Sequence, residues 1–226
     1  MCGRYSLTSN LGELGERFDF EASDLIHNPR YNIAPTQQIL TVTHNGSRNE
    51  ASLMKWGLIP PWSKTPDISS RMINARGETL EEKPSFREPL FKRRCLVLAD
   101  GFYEWTKTNA GKRPMRIKLR SGEPFGFAGL WEIWKSPGDE IIRSCTIITT
   151  HPNKLMEPIH HRMPVIIPKD SEDLWLDSRN QDADSIRDLI KPFPGDEMEV
   201  YEITNLVNSA ANDIPDVLAR VNNMNL

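Results

Sequence analysis

The feature that most constrains this chain is a succession of short, strand-like apolar runs through its middle. Residues 39–43 alternate apolar and polar side chains, as a half-buried strand does, and residues 51–56 return the pattern. Between them lies Asn45-Gly46, two residues that tolerate positive φ and so favour a hairpin turn. Similar runs follow at 95–99, 102–105, 115–119, 125–130, 141–149 and 165–167, with a last one at 199–203. Helical spacing is confined to the ends. Leu11, Leu14 and Phe18 share one face of a segment at 9–18 whose cap is Ser9 or Asn10, and 171–176 and 183–190 read as further helices. Strands in the middle and helices toward the ends predict an α+β fold: a curved or partly closed, mainly antiparallel, barrel-like β-sheet with peripheral helices. Residues 60–89, rich in Pro, Ser, Arg and Glu, show little periodicity and read as a long irregular segment, a kind that is often functional in compact domains.

The chain has 226 residues, no internal repeat and no evident linker, and reads as one domain over 1–226. No window approaches the ~18 consecutive apolar residues of a membrane helix. The first ten residues are polar and lack the apolar stretch of a secretory signal, so a cytoplasmic location is expected. The three cysteines, Cys2, Cys95 and Cys145, form no CxxC pair, and no HExxH occurs; neither a disulfide framework nor a metal site is expected, and no cofactor is called for. The net charge of −3 hides an asymmetry. Residues 170–226 hold 13 acidic and 4 basic side chains, whereas residues 1–169 hold 18 acidic and 24 basic. A polyanion site therefore belongs to the first three quarters, because phosphate affinity comes from local Lys and Arg. The acidic last segment is expected to cover a sheet edge.

Cys2 directly follows the initiator methionine. With residue 1 removed, Cys2 would carry a free α-amine and a thiol on adjacent carbons. Such a 1,2-aminothiol condenses with an aldehyde: the amine forms an imine, and the thiol closes a five-membered thiazolidine. The second step is intramolecular, so proximity favours it. The ordinary pKa values, about 8 for the amine and about 8.5 for the thiol, leave only modest work for a base. Position alone is weak support, since a small residue at a terminus is usually incidental.

Further motifs follow in order. After Met1-Cys2-Gly3-Arg4-Tyr5 come Arg30-Tyr31-Asn32-Ile33-Ala34-Pro35, Trp56-Gly57-Leu58-Ile59-Pro60-Pro61-Trp62, Ile73-Asn74-Ala75-Arg76-Gly77-Glu78-Thr79, Ala99-Asp100-Gly101-Phe102-Tyr103-Glu104-Trp105 and Ile159-His160-His161-Arg162-Met163-Pro164. In this order and spacing the set resembles the SOS-response-associated peptidase family, the abasic-site-processing proteins, over residues 1 to about 168. The resemblance implies a single barrel-like domain with a groove for single-stranded DNA and a role in the response to DNA damage. It further implies loss of Met1 through the protein's own activity, and a thiazolidine between Cys2 and the abasic deoxyribose that shields the lesion. A monomer is expected, associated with the nucleoid when crosslinked.

The same resemblance assigns roles to individual residues. Asn74 matches the family's active-site asparagine; its amide can both donate and accept, at the Cys2 terminus or a sugar hydroxyl. Glu104 matches the catalytic glutamate, and its apolar, strand-like setting should raise its pKa toward neutrality. His160 matches the histidine of the His-x-Arg-Met-Pro motif and would shuttle protons; the spacing to Arg162 selects it over His161. Arg4, Arg76 and Arg162 are expected on phosphates. Trp62 and Trp56 are expected on bases, and Thr149, eleven residues before His160, matches a threonine near the site. Arg71, Arg87 and the run Lys92-Arg93-Arg94 would either extend the groove or form a solvated basic face. Three readings follow: an abasic-site crosslinking enzyme with possible lyase activity through the imine, a cysteine peptidase using Cys2 with His160 and Glu104, or a non-catalytic single-strand binding module.

Overall fold

Pairing turns these runs into two sheets in the computed structural model, which describes residues 2–21, 25–109, 111–136 and 138–221. In chain order the strands are β1 (Tyr5–Leu7), β2 (Arg30–Ile33), β3 (Gln38–His44), β4 (Asn49–Trp56), β5 (Asn74–Arg76), β6 (Arg94–Ala99), β7 (Gly101–Thr108), β8 (Gly111–Leu119), β9 (Phe125–Lys135), β10 (Ile141–Thr150), β11 (Met163–Pro164), β12 (Ile166–Ile167) and β13 (Met198–Glu202). The helices are α1 (Leu11–Phe18), α2 (Pro84–Lys92), α3 (Glu172–Leu176) and α4 (Ala183–Leu189). Five strands close on themselves. β3 pairs β4, β4 pairs β10, β10 pairs β9, β9 pairs β6 and β6 returns to β3; only β4–β10 is parallel. Closure removes exposed edges from this ring. β5 extends it, running parallel to β10, with β11 and β12 as short additions. The second sheet is open and antiparallel, in the order β13-β8-β7-β1-β2. The fold is α+β with a barrel-like sheet, as the pattern of runs predicts.

The ring owes its solidity to strands that are apolar on both faces. All six residues of β6 are buried, which is why Cys95-Leu96-Val97-Leu98 reads as a continuous apolar run rather than an alternation. Each such aliphatic side chain contributes about 1.5–3 kcal/mol on burial. Edge-to-face aromatic contacts join the two sheets. Tyr5 of β1 meets Trp56 at 5.3 Å and Phe127 at 5.8 Å between ring centroids, and Phe102 of β7 meets Phe127 at 5.9 Å. Pairs of this geometry add about 0.5–1.5 kcal/mol each beyond their burial.

Local signals account for several boundaries. Asn10 caps α1: its side chain accepts from the Glu13 N–H at 3.0 Å while Glu13 accepts from the Asn10 N–H at 3.2 Å. The β3–β4 hairpin forms, but around four residues rather than two. His44 pairs with Asn49, only Gly46 has positive φ, and the Asn45 side chain accepts from the N–H groups of Ser47 and Arg48. Gly57 has φ 128°, and a Cβ there would lie 2.3 Å from the Ser69 carbonyl oxygen, so no other residue fits. The segment 60–89 is less irregular than its composition suggests, since it holds β5 and the start of α2. Two prolines in the nine residues of α2 disguise it, one at its first turn and Pro89 inside it. The acidic last segment does cover a sheet edge: β13 adds to β8. Beyond it, Asp213 accepts from the N–H groups of Tyr31 and Asn32 and pairs with Arg30, which seals the other edge at β2.

Candidate functional site

Cys2 lies just before β1, at the seam where the open sheet meets the ring. The open sheet supplies Glu104 from the middle of β7, and the ring side supplies Asn74 from β5. Asn74 Nδ2 donates to the Cys2 carbonyl at 2.8 Å. Its Oδ1 is buried without a hydrogen-bond partner among the described residues. Glu104 is 4% exposed, and burial pushes its carboxyl up to about 7. Its charge acts on Cys2 in turn. Burial first, and the Glu104 carboxylate second, drive the Cys2 thiol far above its ordinary pKa. Cys2 is fully buried in the chain that still carries residue 1, and its thiol is protonated there.

His160 reaches the site through a relay of hydrogen bonds. β5 lies beside β10 with Asn74 opposite Ile147 and Arg76 opposite Thr149. Thr149 is fully buried; its Oγ1 donates to the Ala75 carbonyl at 3.3 Å. Arg162 Nη2 donates to the Thr149 carbonyl at 2.5 Å and to its Oγ1 at 3.2 Å. The Arg162 backbone N–H then donates to His160 Nδ1 at 3.0 Å. The Arg162 carbonyl lies 3.1 Å from the same Nδ1, so the Arg162 backbone holds the ring, and in the neutral form Nδ1 accepts or donates according to the tautomer. Desolvation holds the His160 pKa below its ordinary value, which favours this neutral form. His160 is half-buried and stacks on the exposed His161 with ring centroids 4.3 Å apart. The inner of the two histidines is the one that the His-x-Arg spacing selects.

The residues expected on DNA divide. Arg76 is exposed, and Trp62 is 62% exposed, so both are presented to solvent. Trp56 is fully buried; its Nε1 donates to the Ile73 carbonyl at 2.9 Å, and its ring packs on Tyr5. It is a core residue that supports the entry to β5, and base stacking by it is ruled out by burial. Thr149 is equally buried and is bonded to Arg162, so it presents no surface to a strand. Arg4 Nη1 donates to Asn32 Oδ1 at 2.8 Å and to the Val207 carbonyl at 2.7 Å, a strut between β1 and the last segment. Arg162 is half-buried and doubly bonded to Glu78, at 2.6 and 2.9 Å. The basic run also dissolves. Arg94 is 3% exposed and donates to the carbonyls of Leu90, Phe91, Trp175, Asp177 and Asn180, Arg93 pairs with Glu132 and Glu88, and Lys92 pairs with Glu88.

Three residues of the quoted motifs carry more than the sequence revealed. Glu78 grips Arg162. Asn32 is fully buried and donates from Nδ2 to the carbonyls of Val207, Ser209 and Asn212. Asp100 accepts from Ser6 Oγ, the Thr8 N–H and Arg116, pinning β1 against β7. Their place inside motifs was the available signal; their partners are 16 to 180 residues away and leave no local trace.

A seam of this kind, with a buried cysteine at position 2 beside an amide and a buried carboxyl, defines a class. The chain belongs to the SOS response associated peptidase (SRAP) family, whose model matches residues 1–210. That match runs well past residue 168, where the recognisable motifs end. Among its relatives are the abasic site processing protein YoqW of Bacillus subtilis strain 168, 48% identical over 96% of this chain and 99% of the relative, and YoaM of the same strain, 44% identical over 99% and 100%. The abasic site processing protein HMCES of Xenopus tropicalis is 32% identical over 86% of this chain and 67% of its own length. A crystal structure of a protein from Bacteroides thetaiotaomicron superposes with a TM-score of 0.88 at 30% identity, covering 97% of this chain and all of that one.

Proposed function

We propose that this protein processes abasic sites in single-stranded DNA and does so by bonding Cys2 covalently to the lesion. The relatives named for abasic site processing support the substrate. The observation that carries the chemistry is the convergence on Cys2 of the Asn74 amide, 2.8 Å from its carbonyl, and a buried Glu104 carboxyl whose pKa lies near 7.

Hydrolysis of the bond after residue 1 turns the Cys2 nitrogen from an amide into a primary amine. That amine adds to the C1′ aldehyde of the ring-opened sugar, and the resulting carbinolamine loses water to give an imine. The Cys2 sulfur then adds to the imine carbon while the nitrogen regains a proton, closing the thiazolidine. The condensation of aminothiol with aldehyde releases one water, and the preceding hydrolysis consumes one. Glu104 suits the proton transfers because a group with pKa near the working pH both gives and accepts protons readily. It relieves the thiol of its proton as the sulfur attacks, which the buried thiol does not lose unaided. His160, held below its ordinary pKa by desolvation, passes the proton that the leaving water needs. Asn74 Oδ1 accepts from the new amine or from a sugar hydroxyl. The imine acidifies the C2′ protons, so β-elimination is available as a side reaction until the sulfur closes the ring.

A peptidase acting on other proteins would use the same Cys2 with His160 and Glu104, and either role needs Cys2 uncovered, since it is fully buried in the chain that still carries residue 1. The test is incubation with a single-stranded oligonucleotide bearing one abasic site, read on a denaturing gel. A band that resists denaturation and disappears with Cys2→Ser supports the proposal. Cleavage of an added protein at a rate indifferent to DNA, with no such band, overturns it.

A further inference from the structure

Glu78 sits in the short turn that follows β5, with no role in the chemistry above. Both of its carboxylate oxygens accept from the Arg162 guanidinium, at 2.6 Å from Nη1 and 2.9 Å from Nη2. The same guanidinium is held from within by the Thr149 carbonyl and hydroxyl. Exposure is unequal across the pair: the Arg162 side chain is 14% accessible and the Glu78 side chain 48%. Arg162 is therefore fixed by the protein on its inner side and capped on its solvent side by a carboxylate. A carboxylate and a phosphodiester present the same two-oxygen face to a guanidinium.

We infer that Glu78 is a built-in stand-in for a DNA phosphate, holding the Arg162 fork ready in the free protein and yielding it to the phosphodiester of an incoming single strand. The inference rests on the single-strand DNA reading of the site. Three features of the geometry carry it. The exchange replaces one bidentate oxyanion by another, so Arg162 keeps its inner bonds to Thr149. The Glu78 side is half exposed, so water and salt screen the pair and a phosphate of an incoming strand can compete for the fork. The Arg162 backbone N–H that orients His160 takes no part, so loading the guanidinium leaves His160 in place. The device also discriminates. A polyanion that does not deliver a phosphate onto Arg162 meets the Glu78 charge instead.

The test uses the full chain and an intact single-stranded oligonucleotide without a lesion, with reversible binding read by fluorescence anisotropy at fixed salt. Glu78→Gln should bind about threefold tighter than the parent, the scale of an exposed ion pair, and Glu78→Ala should do the same. In an Arg162→Gln background, Glu78→Gln should bring no gain. Thermal melting confirms that each variant is folded. Equal or weaker binding by the folded Glu78 variants overturns the inference, as does a gain that survives loss of Arg162, which would be general charge repulsion. A parent that crosslinks to an abasic strand while Glu78→Gln gains nothing loses only the stand-in; a parent that binds no single strand at all overturns both this inference and the reading it rests on.

Discussion

Within the five-strand ring, Leu98 of β6, Phe127 of β9 and Ile147 of β10 are wholly buried among other apolar side chains. At the seam between ring and open sheet, an equally dry setting holds the opposite kind of residue: Glu104 at 4% exposure, the Asn74 amide oxygen without a partner among the described residues, and the Cys2 thiol. Burial that stabilises the ring by roughly 25 cal/mol per Å² of apolar surface opposes the charged forms of the seam groups and raises the pKa of Glu104 and Cys2. The same physical cause thus yields rigidity in one region and reactivity in the other. The ring also sets the accuracy of the seam, because Asn74 and Thr149 are placed by the β5–β10 register.

The comparison can be broken most directly at Cys2. Cys2→Ala should abolish the denaturation-resistant DNA adduct altogether while leaving the melting temperature within a few degrees of the parent, as read by gel and by calorimetry. The two tryptophans divide the regions next. Trp56→Ala in the core should cost about 3–5 kcal/mol of stability in denaturant unfolding, whereas Trp62→Ala should leave stability within about 0.5 kcal/mol and weaken single-strand binding several-fold. If the two variants behaved alike, the assignment of one to the core and one to the surface would fail.

Glu104→Gln should slow adduct formation by about 100-fold in a timed crosslinking assay, and it should also change stability in a pH-dependent way. The folded chain holds the Glu104 proton up to about pH 7, whereas an unfolded chain releases it near 4.5. Stability contributed by this site is therefore lost as pH rises through that window and stays flat above it. The variant should exceed the parent in stability at pH 8 by about 1–3 kcal/mol, with the difference vanishing near pH 4. A parent whose stability rose with pH across this range, once compared with the variant, would contradict the buried carboxyl. The smallest effect belongs to the relay: Thr149→Val, which removes the weak hydroxyl bonds to Arg162 and to the Ala75 carbonyl, should lower the adduct rate only several-fold and leave binding of intact strands near the parent value.

How much of this was legible in the sequence follows the same division. The ring strands declared themselves through long apolar runs, and the α+β, barrel-like fold followed from their number and placement. Closure of the ring did not, because β4 and β10 meet across more than 80 residues and parallel pairing leaves no turn signal. β1, β2 and β5 escaped notice because three or four residues carry no periodicity. At the site, Cys2, Asn74, Glu104 and His160 were marked by their motifs; the structure bonds Asn74 to Cys2, sets the Glu104 charge against Cys2, and ties His160 to β5 only through Arg162 and Thr149. The arginines were not readable in the same way. Residue type proposed Arg4 and Arg162 for phosphate, yet their partners, Asn32 and Val207 for one and Glu78 and Thr149 for the other, are set by folding alone. Trp56 and Trp62 stand six residues apart in one motif, and only tertiary packing separates the core residue from the surface one.

The central claim is that the first residue of the mature chain joins its amine and its sulfur to the lesion's aldehyde. Mass spectrometry of the adduct formed on an abasic oligonucleotide, after protease and nuclease digestion, tests it in one measurement. The account predicts a peptide that begins at Cys2, lacks Met1, and carries the sugar remnant on that residue with the loss of one water. A remnant mapped to a lysine, or an adduct on a chain that retains Met1, would contradict it.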